Sequence, residues 1–304
     1  MSPDDRLIVQ EVAPRDGLQI EPKWVATEDK VKLIDSLSRL DFGRIEVSSF
    51  VSAKAVPALR DAEDVFRRIT RKVGITYVAL VPNLRGAQNA LRAQADELNM
   101  VMSVSETHNR ANMGMSGAAS FEAFRAIADM AADSRVTLNG TIATAFGCPF
   151  EGVQAQTRVL ELVEAYLALG VDGITLADTT GMANPRQVRR FFAMAREALG
   201  ADVELTAHFH NTRGQGLANV LAALEAGVES FESSFGELGG CPVPAGATGN
   251  IATEDLVSML HEMGISTGID LPALIACSRR AQEILGRPLG SHVLSAGPVD
   301  WAPQ

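Results

Sequence analysis

"GITLADTTGMANPRQVRRFFAMAREALG" (173–200) contains one whole structural unit. Residues 173–180 are rich in apolar and β-branched side chains and end on polar ones, the signature of a short strand. Asn184 then stands where a helix cap belongs, with Pro185 at the first helical position. A helical stretch follows, and Gly200 ends it. A strand followed by a capped helix predicts a β-α repeat.

The same pattern recurs in both directions. Candidate strands lie at 6–13, 44–50, 75–82, 98–104, 135–143, 173–180, 203–210 and 228–235. Helical candidates cover 26–40, 153–170, 184–200, 216–227, 253–264 and 271–285. Thr27 is a possible cap for the first, with Lys30 leaving its capping box incomplete. Val159, Leu162, Val163 and Tyr166 share one stripe of the second. Eight units of roughly 25–40 residues predict a parallel (β/α)8 TIM barrel closed on itself. A doubly wound sheet is the competitor, but no glycine-rich dinucleotide fingerprint follows the first strand. The expected organisation is a single barrel domain over 1–304, with 236–250 as an active-site loop and 253–285 as C-terminal helices.

Bulk properties agree with this class. The chain has 304 residues, and 46% apolar content suffices for a large core. Aromatic residues make up only 5%, so aliphatic side chains are expected to do most of the filling. A net charge of −10 argues against a general nucleic-acid surface. Three cysteines do not make a disulfide framework and point to a reducing, cytoplasmic compartment. "MSPDDRLIVQ" is not a signal peptide, and no stretch reads as a membrane span.

In such a barrel, chemistry belongs at the C-terminal ends of the strands. "EVAPRDGLQ" follows strand one and offers Arg15, a fixed cation, and Asp16, a hard oxygen ligand, although a solvated Arg–Asp pair in a turn around Pro14 and Gly17 is the plainer reading. Glu46, inside "RIEVSSF", is a carboxylate on a core strand and needs a cationic partner, for which Arg15 is the obvious candidate. "TAHFHNTRGQG" (206–216) carries His208 and His210 two residues apart. On a strand that spacing turns both imidazoles to one face and Phe209 to the helices. Strand eight alone separates this strand from strand one. Asp16, His208 and His210 would make a mixed O/N site without thiolates, suited to Mg2+ or Mn2+, with zinc left open. Asn250 is a further oxygen donor or a helix cap. Asp178 either orients a ligand histidine, contacts substrate or caps a turn. "GELGGCPVPAGATG" (236–249) holds five glycines around Cys241, a candidate acid, base or nucleophile on a movable loop. Cys277 reads as inert and Cys148 as ambiguous. Asn83, Arg85, Glu106, His108, Arg110, Asn112 and Lys23 are further mouth candidates that read more simply as surface residues.

These segments together carry a resemblance. "EVAPRDGLQ", "IEVSSFVS", "PNLRG", "CPFEG", "LADTTGMANP", "HFHNTRGQGLAN", "GGCPVPAGATGNIATEDLV" and "GISTGID" are similar to the hydroxymethylglutaryl-CoA lyase family. That family lies within the metal-dependent barrels that make and break Claisen-type carbon bonds. The likeness covers about residues 6–285. It implies a divalent cation on Asp16, His208, His210 and Asn250, an acyl-CoA substrate and a homodimer. It implies that Arg15 neutralises the thioester oxygen, that Glu46 holds the polar network and that Asp178 lies beside the substrate. It makes Cys241 the loop cysteine required for turnover. The implied reaction is retro-Claisen cleavage of 3-hydroxy-3-methylglutaryl-CoA, or a close 3-hydroxy-3-substituted relative, to acetyl-CoA and a 3-oxo acid such as acetoacetate. A Claisen-condensing acyltransferase and an aldolase-like lyase on a non-thioester hydroxy acid are the alternatives. "SETHNRANMGMS" and the Asn211/Arg213 pair depart from the usual pattern; these differences touch the mouth and bear on substrate identity, not on the implied metal ligands.

Overall fold

In the computed structural model, which describes residues 6–200, 202–240 and 249–301, the strands close as the repeat predicts. They are β1 (Ile8–Glu11), β2 (Arg44–Ser49), β3 (Thr76–Leu80), β4 (Glu97–Ser103) and β5 (Thr137–Ala143). A small antiparallel hairpin, β6 (Gly147–Cys148) and β7 (Gly152–Val153), interrupts the series. β8 (Gly173–Asp178), β9 (Glu204–Phe209) and β10 (Ser230–Ser233) complete it. The barrel order is β1-β10-β9-β8-β5-β4-β3-β2, closed and parallel throughout. No helix among the described residues is long and apolar enough to cross a membrane.

The helices begin and end for local reasons. Asn184 accepts the Gln187 N–H at 3.1 Å, Pro185 opens Pro185–Leu199, and Gly200 lies at a φ of +70°. Val159, Leu162, Val163 and Tyr166 are the buried stripe of Gln156–Leu167. Thr27 does not cap its helix: the cap position falls on Ala26, and the Thr27 hydroxyl donates to Asp61 at 2.8 Å instead. Helices at Ala62–Arg68, Leu84–Arg92, Glu106–Met113 and Gly117–Ala131 fill the units that lacked an explicit helical assignment.

Two different fillings make the core. Between sheet and helices the packing is apolar, with Phe146, Phe192 and Phe209 in mutual contact. Gly140 belongs there because a β-carbon would meet the Tyr166 ring at 2.5 Å. Inside the barrel, aliphatic filling gives way to polar side chains. Asn99 Oδ1 accepts from Thr141 at 2.7 Å and from Asn139 at 3.2 Å, and Asn139 also donates to Thr175 at 3.0 Å. Asn99 Nδ2 donates to Glu46 at 3.1 Å. Buried polar atoms persist only when paired, so this lattice holds its members, Glu46 among them, at fixed positions. At the barrel floor Arg44 bridges Glu97 and Glu204.

Glu11 ends β1 on the outer side. Burial pushes its carboxyl from 4.5 up to about 8, against hydrogen bonds from Ala13 N–H, Thr253 Oγ and Phe235 N–H. The folded protein therefore holds this proton more tightly than the unfolded chain. Its stabilising contribution is complete below the unfolded value and fades as pH rises through the folded one. Glu11→Gln, neutral at every pH, is expected to flatten the fall in Tm between about pH 5 and pH 8. Identical slopes in variant and parent would remove Glu11 as a source of that dependence. Glu97, raised by burial to about 7, supplies part of whatever slope remains.

Candidate active site

β9 presents His208 and His210 towards the barrel mouth, while Phe209 between them packs outward against Phe146 and Phe192. β10 lies between β9 and β1, with Glu232 in register with His208. Asp16 enters from a wide helical turn, Ala13–Gly17, directly beyond β1. One ligand-type atom from each of Asp16, His208 and His210 lies within 4.8 Å of the others. The two imidazole centroids are 5.1 Å apart.

Charge is arranged in a chain around this point. Arg15 Nε donates to Glu46 at 2.6 Å, and Arg15 Nη1 to Asp16 Oδ1 at 2.6 Å. Burial works against the Arg15 charge, but Glu46 and Asp16 outweigh it and hold the guanidinium protonated. Burial would raise Asp16, yet Arg15, His208 and His210 draw it down to about 2, so it is a poor base and a good anionic ligand. Burial raises the Glu46 carboxyl, with Arg15 as the opposing influence. Burial also opposes a charged His208, whereas the Glu232 carboxylate at 2.7 Å raises its proton affinity above that of free imidazole.

Glu232 was not singled out in the sequence, although "VESFESSF" offered the same signal as Glu46: a carboxylate at an inward strand position. Its Oε2 engages His208 Nδ1, which turns Nε2 to the mouth. Carboxylate–histidine pairs of this kind orient metal ligands. It also limits the histidine: with Nδ1 occupied, Nε2 can bind a cation or accept a proton, not both at once.

The donor set fits a divalent cation. It combines one anionic oxygen and two imidazoles with a neutral oxygen, because the buried Asn250 Oδ1 has no hydrogen-bond partner among the described residues. Asn250 is not a helix cap; Ala252 occupies that position, and Asn250 Nδ2 donates to Asp16 Oδ2 at 2.7 Å. An antiparallel bridge joins Asn250 to His210.

A cavity of about 160 Å3 opens at this mouth, lined on its polar side by Arg15, Asp16, His108, Asn112, His208 and Glu232. Not every expected residue reaches it. Ala177 and Thr179 line the cavity while Asp178, between them, does not. Strand alternation turns Asp178 the other way, in register with Phe209. There Oδ1 caps a turn, accepting the Met182 and Ala183 N–H groups at 2.8 and 3.1 Å. Burial raises this carboxyl to about 6. Asn83 caps a helix, Arg110 pairs with exposed Glu106, and Lys23 donates to the Ile284 carbonyl. Cys148 is buried, and burial pushes the Cys277 thiol up to about 12, which leaves it inert. Cys241 lies outside the described residues.

The chain is similar to known proteins along nearly its whole length. The HMGL-like family model matches residues 6–280. Hydroxymethylglutaryl-CoA lyase YngG of Bacillus subtilis is 43% identical over 95% of this chain and 96% of its own length. (R)-citramalyl-CoA lyase of Chloroflexus aurantiacus is 40% identical over 97% of this chain and 96% of its own. An HMG-CoA lyase structure from Acinetobacter baumannii, in complex with coenzyme A and 3-methylmalate, superposes with a TM-score of 0.95 at 53% identity, covering 100% of this chain and 99% of that one. Matched along nearly its whole length, the chain belongs to the HMGL-like family of carbon–carbon lyases.

Proposed function

We propose that the protein cleaves 3-hydroxy-3-methylglutaryl-CoA, or a closely related 3-hydroxy-3-substituted acyl-CoA, to acetyl-CoA and a keto acid, acetoacetate in the first case. The observation that carries this is the adjacency of a buried, permanently charged Arg15 to the Asp16–His208–His210 cluster in one cavity. An enolate forming at a thioester needs a fixed cation near its oxygen, and a tertiary alcohol needs help to lose its proton.

The bond to break joins the carbon α to the thioester and the carbon bearing the hydroxyl. Loss of the hydroxyl proton forms the ketone and sends the electron pair into the thioester. Arg15 meets the charge that grows on the thioester oxygen, where Glu46 and Asp16 hold it in place before the substrate arrives. Asp16, His208, His210 and Asn250 would hold Mg2+ or Mn2+, which when bound supplies Lewis acidity that lowers the hydroxyl pKa. His208 takes part in the proton relay only when its Nε2 is free, since Glu232 keeps Nδ1. Cys241 is assigned the return of a proton to the enolate carbon, and its substitution by serine is the check on that role. The reading extends to a single-domain chain that forms a homodimer in the cytoplasm, for which solution mass and cell fractionation are the measurements.

The Chloroflexus relative favours a second substrate, citramalyl-CoA, in which the keto acid released is shorter. Incubation with each acyl-CoA and Mg2+ or Mn2+, reading acetyl-CoA and keto acid, decides between them. Release of free CoA from acetyl-CoA and a 2-oxo acid, without cleavage of either compound, would replace the lyase with a condensing enzyme.

Glu232→Gln is expected to weaken divalent-metal affinity roughly 10–100-fold, because a neutral amide no longer raises the basicity of the His208 ring as the carboxylate does. Calorimetric titration measures this; unchanged affinity would end the orienting role.

A further inference from the structure

Directly beyond His210 the chain forms a junction that the chemistry above does not use. The Asn211 N–H donates to the Gly249 carbonyl at 3.1 Å. Its Nδ2 donates to Glu237 Oε1 at 2.7 Å, and its Oδ1 accepts the Gly216 N–H at 3.2 Å. One residue, through its backbone and its side chain, thus ties the end of β9 to the start of the next helix and to both described flanks of the glycine-rich stretch.

Glu237 occupies a place that suits glycine better. Its φ is +59°, in the left-handed region that costs any residue with a β-carbon. Two glycines make room for it: a β-carbon at 249 would lie 1.9 Å from the Glu237 carbonyl oxygen, and one at 290 would lie 2.4 Å from Glu237 Oε2. A half-buried carboxylate in a strained backbone, with glycines cleared around it, calls for a compensating task. The next residue supplies it. The Leu238 carbonyl accepts both the Asn250 N–H at 3.4 Å and Asn250 Nδ2 at 3.0 Å. The Asn211–Glu237 bond therefore sits one residue from the group that seats Asn250.

We propose that Asn211 and Glu237 form a positioning clasp that fixes the Leu238 carbonyl and so sets Asn250 against His210 and Asp16 for cation binding. The clasp touches neither substrate nor cation, and it rests on the metal-site reading above. Its two members lie just beyond β9 and β10, consecutive strands that pair side by side.

Two substitutions at one position isolate it. Glu237→Gln removes the charge but keeps an oxygen for Asn211 Nδ2. Glu237→Gly removes the same charge, breaks the clasp and relieves the left-handed backbone, so it folds at least as well as the parent. Mn2+ titration, followed by the electron paramagnetic resonance of the free ion, reads affinity directly, and Tm reads stability. The expected result is near-parental Mn2+ affinity for Glu237→Gln and a loss of about tenfold for Glu237→Gly, with Tm unchanged or higher. Adding Asn250→Ala to Glu237→Gly is expected to cost much less than Asn250→Ala alone, because both act on one contact. Affinities of the two Glu237 variants within twofold of each other, or full additivity with Asn250→Ala, overturns the clasp while leaving the metal site standing. Absence of Mn2+ binding by the parent protein overturns the metal site, and the clasp with it.

Discussion

Arg15→Gln is expected to lower kcat/KM by at least 100-fold while leaving metal content near that of the parent. Removing one strong contact to a developing oxyanion costs about 3–5 kcal/mol, and Arg15 is the fixed cation placed to make it. The substitution has a structural side as well. Glu46 is fully buried and would lose the partner bonded to it at 2.6 Å, leaving an uncompensated carboxylate. Such a loss destabilises by several kcal/mol unless the group takes up a proton. The double variant Arg15→Gln/Glu46→Gln separates the two effects, because it replaces the buried ion pair with neutral groups of similar size. Its Tm is expected to return towards the parent value while activity stays low. Recovery of turnover in the double variant would mean that Arg15 serves the fold and not the thioester.

The second large effect lies at the histidines. His210→Ala is expected to drop bound divalent metal from about one ion per chain to a small fraction of that, with elemental analysis after dialysis as the measurement. Among the described residues the donor set is Asp16, His208, His210 and Asn250, and none of the remaining three can replace a lost imidazole. Binding should also weaken as pH falls. The cation needs a neutral His208, and Glu232 raises the affinity of that ring for the proton. Proton competition therefore begins at a higher pH than for a free imidazole, while Asp16, drawn down to about 2, stays ionised throughout. Full metal occupancy in His210→Ala would end the ligand assignment.

Much of this site was legible in the chain because it depends on local periodicity. A single residue between two histidines on a strand places both rings on one face whatever surrounds them. Glu46 in an apolar strand demanded a cation, and Arg15 supplies it. The same period-two argument also separates Asp178 from the site. It ends a strand at the mouth, but one residue out of phase with Ala177 and Thr179, which line the cavity. Its place in the motif suggested substrate; its phase on the strand gave it to a turn. Glu232 carries the same strand signal as Glu46, but its partner is an imidazole 24 residues away, and no local pattern pairs the two.

By itself, the sequence determined the number and order of the β-α units, the caps of the best helices and the pair of imidazoles. Each of these follows from residues a few positions apart, where backbone sterics and side-chain period act without regard to the rest of the chain. It took the folded chain to reveal that Asn250 bonds Asp16 and not a helix end, that Glu232 turns His208, and that polar side chains fill the barrel interior. Those outcomes depend on which strands become neighbours when the sheet closes. Pairing energies between groups tens to hundreds of residues apart are set by that closure, and no local pattern encodes them.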